Sequence, residues 1–296
     1  MDEHPTSVGA QAHDLPDQHP SLAKMMCAEA SGTYVLVLLG CGAVHAATLF
    51  GAQSGLWQVA IVWAVAIMIA IYLTGSISGA HLNPAVTIAL SVWQRHRWSR
   101  VAPYILAQVF GAFLAAATLY YLFAGVLAYY EEVKHVVRGE PGSIVTAMCY
   151  GEYYPNPGSV ASATAPFDMA AYERLQSCVP MFAAFGAELL GTALLAAVIF
   201  AVTDTRNQVA PQANLAPVFV GLTVAALISV IAPLTQACFN PARDFGPRLF
   251  AYFAGWGTVA LPGSDSHSWL TVYILAPIIG AIIGGGWYQS SMRRPQ

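Results

Sequence analysis

Two tripeptides, Asn83-Pro84-Ala85 and Asn240-Pro241-Ala242, are the chemically distinctive part of this sequence. In each, Asn stands where a helix N-cap stands and Pro takes the first helical position, so a short helix is predicted to begin there. Both lie in apolar sequence. A helix that begins inside a membrane leaves backbone N–H groups without partners, which is tolerable only where that backbone lines a wet cavity or is buried in protein. Two such starts predict a pore or a central binding site. With its carbonyl serving as the cap, each Asn is expected to turn its NH2 outward, toward whatever passes. Short helices meeting end to end from opposite sides would converge their positive dipole ends near the bilayer centre, repelling cations and letting neutral hydrogen-bonding solutes cross.

Arg243 is a cation in the first turn of a helix and inside apolar sequence, two costs that point to a water-filled path beside it. Asp244 is favourable at a helix N-terminus by itself, so a structural role is expected. Glu29 and Glu188 are embedded carboxylates, suited either to proton relay or to bracing loop backbone. His81 and His45 are expected to be packing residues. His4, His13 and His19 lack helical spacing and carboxylate or thiol partners, so no metal site is read from them. No nucleophile, base and orienting group stand at suggestive spacing, and neither an enzyme nor a cofactor is expected.

The elements that must position these residues are membrane helices. Of 296 residues, 57% are hydrophobic and 9% charged, too few charges for an ordinary soluble domain. Between Glu29 and Arg95 no Asp, Glu, Lys or Arg occurs. The hydropathy pattern predicts spans over about Met26–Phe50, Trp57–Ser76, Val101–Leu127, Val179–Val202, Leu215–Ile231 and Ser268–Gln289, with half-helices after Asn83 and after Asn240. Residues 1–22 read as a disordered tail, 23–292 as one channel domain and 293–296 as a second tail. Within the domain, repeats 23–128 and 179–292 are joined by a loop, 129–178. Placing Lys24, Arg95, Arg97, Arg100, Arg206, Arg293 and Arg294 in the cytoplasm puts both termini there and the long loop outside. Cys149 and Cys178 share that loop, which leaves a disulfide between them open. A net charge of -3 without a basic tract argues against nucleic-acid binding. Ala28-Glu29 and Ala187-Glu188 recur at nearly the offset of the two Asn, and Ala107 to Ala112 echoes Ala276 to Ala281. Three spans per half give inverted repeats, which bring the half-helices in from opposite faces.

The segments Ser78 to Thr87 and Asn240 to Arg248 resemble the paired Asn-Pro-Ala loops of the aquaporin and glycerol-facilitator family, and Asp244 after Arg243 resembles its glycerol-conducting branch. The resemblance covers Met25 to about Met292. It implies an all-α fold of six spans and two half-helices, a multi-pass cell-membrane channel for glycerol, water and other small neutral solutes, a lipid bilayer as surroundings, and a homotetramer. It also implies that Glu29 and Glu188 brace the loops, and that carbonyls of Gly79, Ala80, His81, Gln236, Ala237 and Cys238 form a ladder of acceptors. By the same resemblance the narrowest point falls at Trp63, Ile228, Ala237 and Arg243. Trp63 matches glycerol facilitators, whereas Ile228 and Ala237 depart from them, with bulk on one side and none on the other, as in plant nodulin-type channels. His135 to Gly139 and Tyr153 to Gly158 are similar to the facilitators' long third loop, and about 159–176 reads as an insertion with a short helix around Phe167 to Leu175.

Three functions remain open on the residues. A passive glycerol channel is the first, with a water-selective or a metalloid, urea or ammonia channel as its in-class alternatives. A proton-coupled transporter using the two Glu is the second, and a junctional protein with an occluded pore is the third.

Overall fold

The computed structural model describes residues 20–161, 165–212, 214–261 and 267–293. Most of the first tail and residues 294–296, Arg294 included, lie outside them. Among the described residues, six helices are long and apolar enough to cross a membrane: Leu22–Phe50, Leu56–Ser78, Trp98–Val133, Met181–Thr203, Ala216–Thr235 and Ser268–Met292, here the first to sixth spans. Two short helices, Pro84–Trp93 and Pro241–Ala251, are the half-helices. The all-α class expected from the sequence is what forms.

Local sequence sets the ends. Ser21 caps the first span by accepting from the Lys24 backbone N–H at 3.2 Å, so the helix starts ahead of the expected Met26. Gly51 and Gly79 close the first and second spans in left-handed conformations, where a residue without Cβ is unstrained. The third span runs on to Val133, beyond the Leu127 expected, because Glu131 is held by the Arg138 guanidinium at 3.1 and 2.7 Å. The joining loop therefore begins at 134 rather than 129. In the insertion, Asp168 caps a helix over Met169–Cys178, three residues further along than expected at its C-terminal end.

The packing follows the internal repeat. The first span lies against the second and third, and the fourth against the fifth and sixth. The half-helices are exchanged, the first docking on the sixth span and the second on the third. Paired tyrosines mark the symmetry: Tyr104 Oη donates to the Ser78 carbonyl at 2.9 Å, and Tyr273 Oη to the Thr235 carbonyl at 3.2 Å. Each links a repeat's last span to the end of the helix that leads into its half-helix loop.

Candidate transmembrane pore

The two Asn residues meet at the centre. Asn83 Oδ1 accepts from the Ala85 backbone N–H at 2.8 Å, and Asn240 Oδ1 from the N–H groups of Ala242 and Arg243 at 3.1 and 3.3 Å. Their amides are not simply turned outward as expected. Asn83 Nδ2 donates to the Phe239 carbonyl and Asn240 Nδ2 to the Leu82 carbonyl, both at 2.8 Å. One hydrogen of each amide thus ties the opposing loop, which fixes the two helix N-termini head to head, and the second hydrogen remains for the lumen.

Each loop is held from behind by a buried carboxylate. Glu29 accepts from Ser78 Oγ at 2.6 Å, His81 N at 2.9 Å, Leu82 N at 2.7 Å and Gln108 Nε2 at 2.8 Å. Glu188 accepts from Thr235 Oγ1 at 2.6 Å, Cys238 N at 2.9 Å and Phe239 N at 2.8 Å. Loop backbone that would otherwise be unpaired in hydrocarbon is satisfied in this way. A carboxylate saturated by fixed donors is poorly placed to carry a proton. The loops need the help, because Ala80, Leu82, Gln236, Ala237 and Phe239 all have left-handed backbone.

Two cavities follow the axis. One of about 450 Å³ is lined by Gly79, Ala80, His81, Gln236, Ala237 and Cys238, with both Asn. The other, of about 470 Å³, opens on the side of the long loop. Trp63, Ile228, Gln236 and Arg243 line both and so mark the neck between them, whereas Ala237 lines only the first. At the neck the Arg243 guanidinium sits over the Trp63 ring, 4.4 Å from its centroid. An apolar aromatic wall and a fan of N–H donors therefore face the same narrow space. Gln236 turns its side chain away, accepting from the Tyr153 N–H at 2.9 Å and donating to the Met148 carbonyl at 3.3 Å.

Asp244 is not a lumen group. It takes Arg248 Nε at 2.8 Å and Nη2 at 2.6 Å, and accepts from the Glu152 N–H at 2.8 Å. His81 packs against His96 and Tyr104, with Nδ1 3.2 Å from Thr87 Oγ1. His45 Nδ1 lies 2.8 Å from the Cys41 carbonyl, and its ring packs edge-on to Tyr150. The disulfide that the sequence left open is not formed: all five cysteines are free. Cys149 is turned inward among Tyr150, Tyr153 and Trp256, while Cys178 sits at the exposed end of the insertion helix.

Sequence reasoning missed Glu152. Its carboxylate meets the Arg243 guanidinium at the neck, and its side chain is 1% exposed. The available signal was its isolation, since it is the lone charged residue from Pro141 to Phe167, directly before Tyr153-Tyr154-Pro155.

Comparison with known proteins agrees with this geometry. The major intrinsic protein family model matches residues 17–288. The glycerol uptake facilitator protein of Pseudomonas aeruginosa is 40% identical over 276 residues, covering 93% of this chain and 91% of that protein. The propanediol uptake facilitator PduF of Citrobacter freundii is 39% identical over 269 residues, covering 91% and 92% respectively. The solved aquaglyceroporin of Plasmodium falciparum superposes with a TM-score of 0.74 at 23% identity, over 92% of this chain and 97% of that one, a likeness of fold.

Proposed function

We propose that this chain, which belongs to the major intrinsic protein family, is a passive membrane channel for glycerol and similar small neutral solutes. It is not an enzyme. It also passes water, and it excludes ions and protons. The observation that carries this reading is the neck, where the Arg243 guanidinium lies against the Trp63 ring and the two together line both cavities. A polyol has a carbon edge and a hydroxyl edge, and the neck offers one surface for each. Exclusion of cations falls to the half-helices, whose positive ends converge at the paired Asn. The relatives named for glycerol and propanediol uptake support the same solute class. We place both termini in the cytoplasm, from the distribution of Lys and Arg, and infer a homotetramer with one pore per subunit from family membership.

The test is light scattering from proteoliposomes holding the purified chain, shocked once with an impermeant osmolyte and once with glycerol. Fast re-swelling in glycerol, absent from empty vesicles, is the expected result. Fast water flux without glycerol entry would replace the reading with a water channel, and saturable uptake driven by a pH gradient would replace it with a transporter.

Ala237 supplies a sharper check on the solute path. Ala237→Phe is expected to lower glycerol flux about tenfold and water flux far less, since a ring just inside the neck obstructs the wider molecule first. An equal loss for both solutes would mean that Ala237 does not shape the passage.

A further inference from the structure

The Trp63 ring at the neck is backed by a residue with no side chain. Gly40 is buried in the first span and lines neither cavity, whereas Trp63 and Arg243 line both. A Cβ at Gly40 would fall on three neighbouring atoms of the Trp63 ring, Cδ2, Cε3 and Cζ3, at nearly equal distances. A point equidistant from three atoms of a six-membered ring stands over its face, so the first-span backbone and the indole meet face-on. Gly40 thus stands behind the ring, and Arg243, 4.4 Å from the ring centroid, stands toward the lumen. Glycine weakens a helix relative to alanine, and here the close approach of a ring accounts for its use. Two residues on, Gly42 has no such neighbour, since a Cβ there meets only Leu119 Cδ2, at 3.4 Å.

We propose that Gly40 is a positioning residue for the constriction: its missing side chain lets Trp63 sit back against the first span, and the width so gained admits a polyol as well as water. Carbon atoms in contact rest about 3.5–4.0 Å apart, so a methyl group at this position would drive the ring forward by about 1 Å. Neither neighbour yields instead. The first span is pinned to the third, where a Cβ at Gly111 would fall on the Ala30 carbonyl oxygen and where Tyr34 and Thr118 share a hydrogen bond of 3.2 Å. Arg243 is pinned by the Tyr150 carbonyl, which accepts from Nη1 at 3.1 Å, and by the Glu152 carboxylate. What remains to the ring is movement into the open neck, and glycerol, the wider solute, loses its passage before water does. This assignment rests on the glycerol reading above.

The experiment measures glycerol and water flux in proteoliposomes, per folded protein, for the wild type, Gly40→Ala, Gly42→Ala, Trp63→Ala and the double variant Gly40→Ala/Trp63→Ala. Gly40→Ala is expected to lower the glycerol-to-water ratio about tenfold, and Gly42→Ala, the same exchange without the ring contact, to leave it unchanged. Once the ring is gone the added methyl has nothing to push, so the double variant is expected to match Trp63→Ala. Equal losses of glycerol and water in Gly40→Ala, or a fall in the ratio that persists without the ring, would reduce Gly40 to a packing residue and overturn the proposal. Should Gly40→Ala yield no folded protein, recovery of folding in the double variant supports the assignment and continued loss overturns it. Should the wild type pass no glycerol, the proposed solute falls by itself, and water flux decides the residue's role. Slower water in Gly40→Ala, with no slowing when Trp63 is also replaced, then supports it, and the same result in both backgrounds overturns it.

Discussion

Glu188→Ala is expected to abolish solute flux and to lower thermal stability more than Glu29→Ala does, although the two carboxylates occupy equivalent places in the repeats. Removing Glu188 leaves the buried N–H groups of Cys238 and Phe239 without partners, at about 1–3 kcal/mol each. Those donors belong to a loop in which Gln236, Ala237 and Phe239 hold φ values of 60°, 63° and 52°, conformations that persist only where the surroundings enforce them. Glu29 has the same task in the first loop but sits beside Gln108, whose Nε2 bonds to it at 2.8 Å and whose Oε1 is buried without a partner. A small rotation lets that oxygen accept one of the orphaned donors. The sequence echo places Pro277 at the position equivalent to Gln108, and proline offers no side-chain acceptor. The check is thermal unfolding of the detergent-purified variants together with vesicle flux. Equal shifts in midpoint for Glu29→Ala and Glu188→Ala would show that Gln108 gives no relief, and intact flux in Glu188→Ala would show that the carboxylate does not hold the loop.

The spans, the half-helices and the repeat were legible because each rests on a one-dimensional signal. An uncharged stretch long enough to cross a bilayer reads as a helix, and Asn-Pro within it reads as a helix start. The boundaries slipped where a side chain just past the apolar stretch extended a helix, as Arg138 does for Glu131 at the end of the third span. Of the four residues expected at the narrowest point, Trp63, Ile228 and Arg243 keep fixed offsets from the motifs and line both cavities, whereas Ala237 lines one of them. Glu152 was invisible for a different reason. Its position depends on Asp244 and Arg248, some ninety residues further along, which clamp its backbone over the lumen, and no local pattern announces that a loop carboxylate will reach an arginine inside the membrane. The orientation of the Asn amides escaped for the same reason, since their partners are carbonyls of the opposite repeat.

Gly284→Val is expected to be the most damaging single substitution on the lipid-buried side of the fold, with folded yield and unfolding midpoint both falling and flux lost. A Cβ at Gly284 would fall on the Ala193 carbonyl oxygen, and at Gly280, one turn earlier, on that of Leu189. Backbone atoms cannot rotate aside as a flexible side chain can, so the fourth and sixth spans would have to separate. In lipid no hydrophobic force draws them back, because their cohesion is the van der Waals contact that the glycines permit. Overpacking of this kind costs about 1–3 kcal/mol in a protein interior, and here it falls on a pair of spans that holds the first half-helix and braces the loop before the second. The sixth span accepts from Trp93 Nε1 through the Ile282 carbonyl at 2.9 Å, and its Tyr273 ties the end of the fifth span. The fourth span carries Glu188. Gly125→Val in the third span is the matched control, since a Cβ there meets nothing within 4 Å and only lengthens an exposed face. Comparable stability of the two variants would mean that the fourth and sixth spans can part without cost. In that case the position of the half-helices must be fixed by the Asn-to-carbonyl ties at the centre rather than by the packing around them.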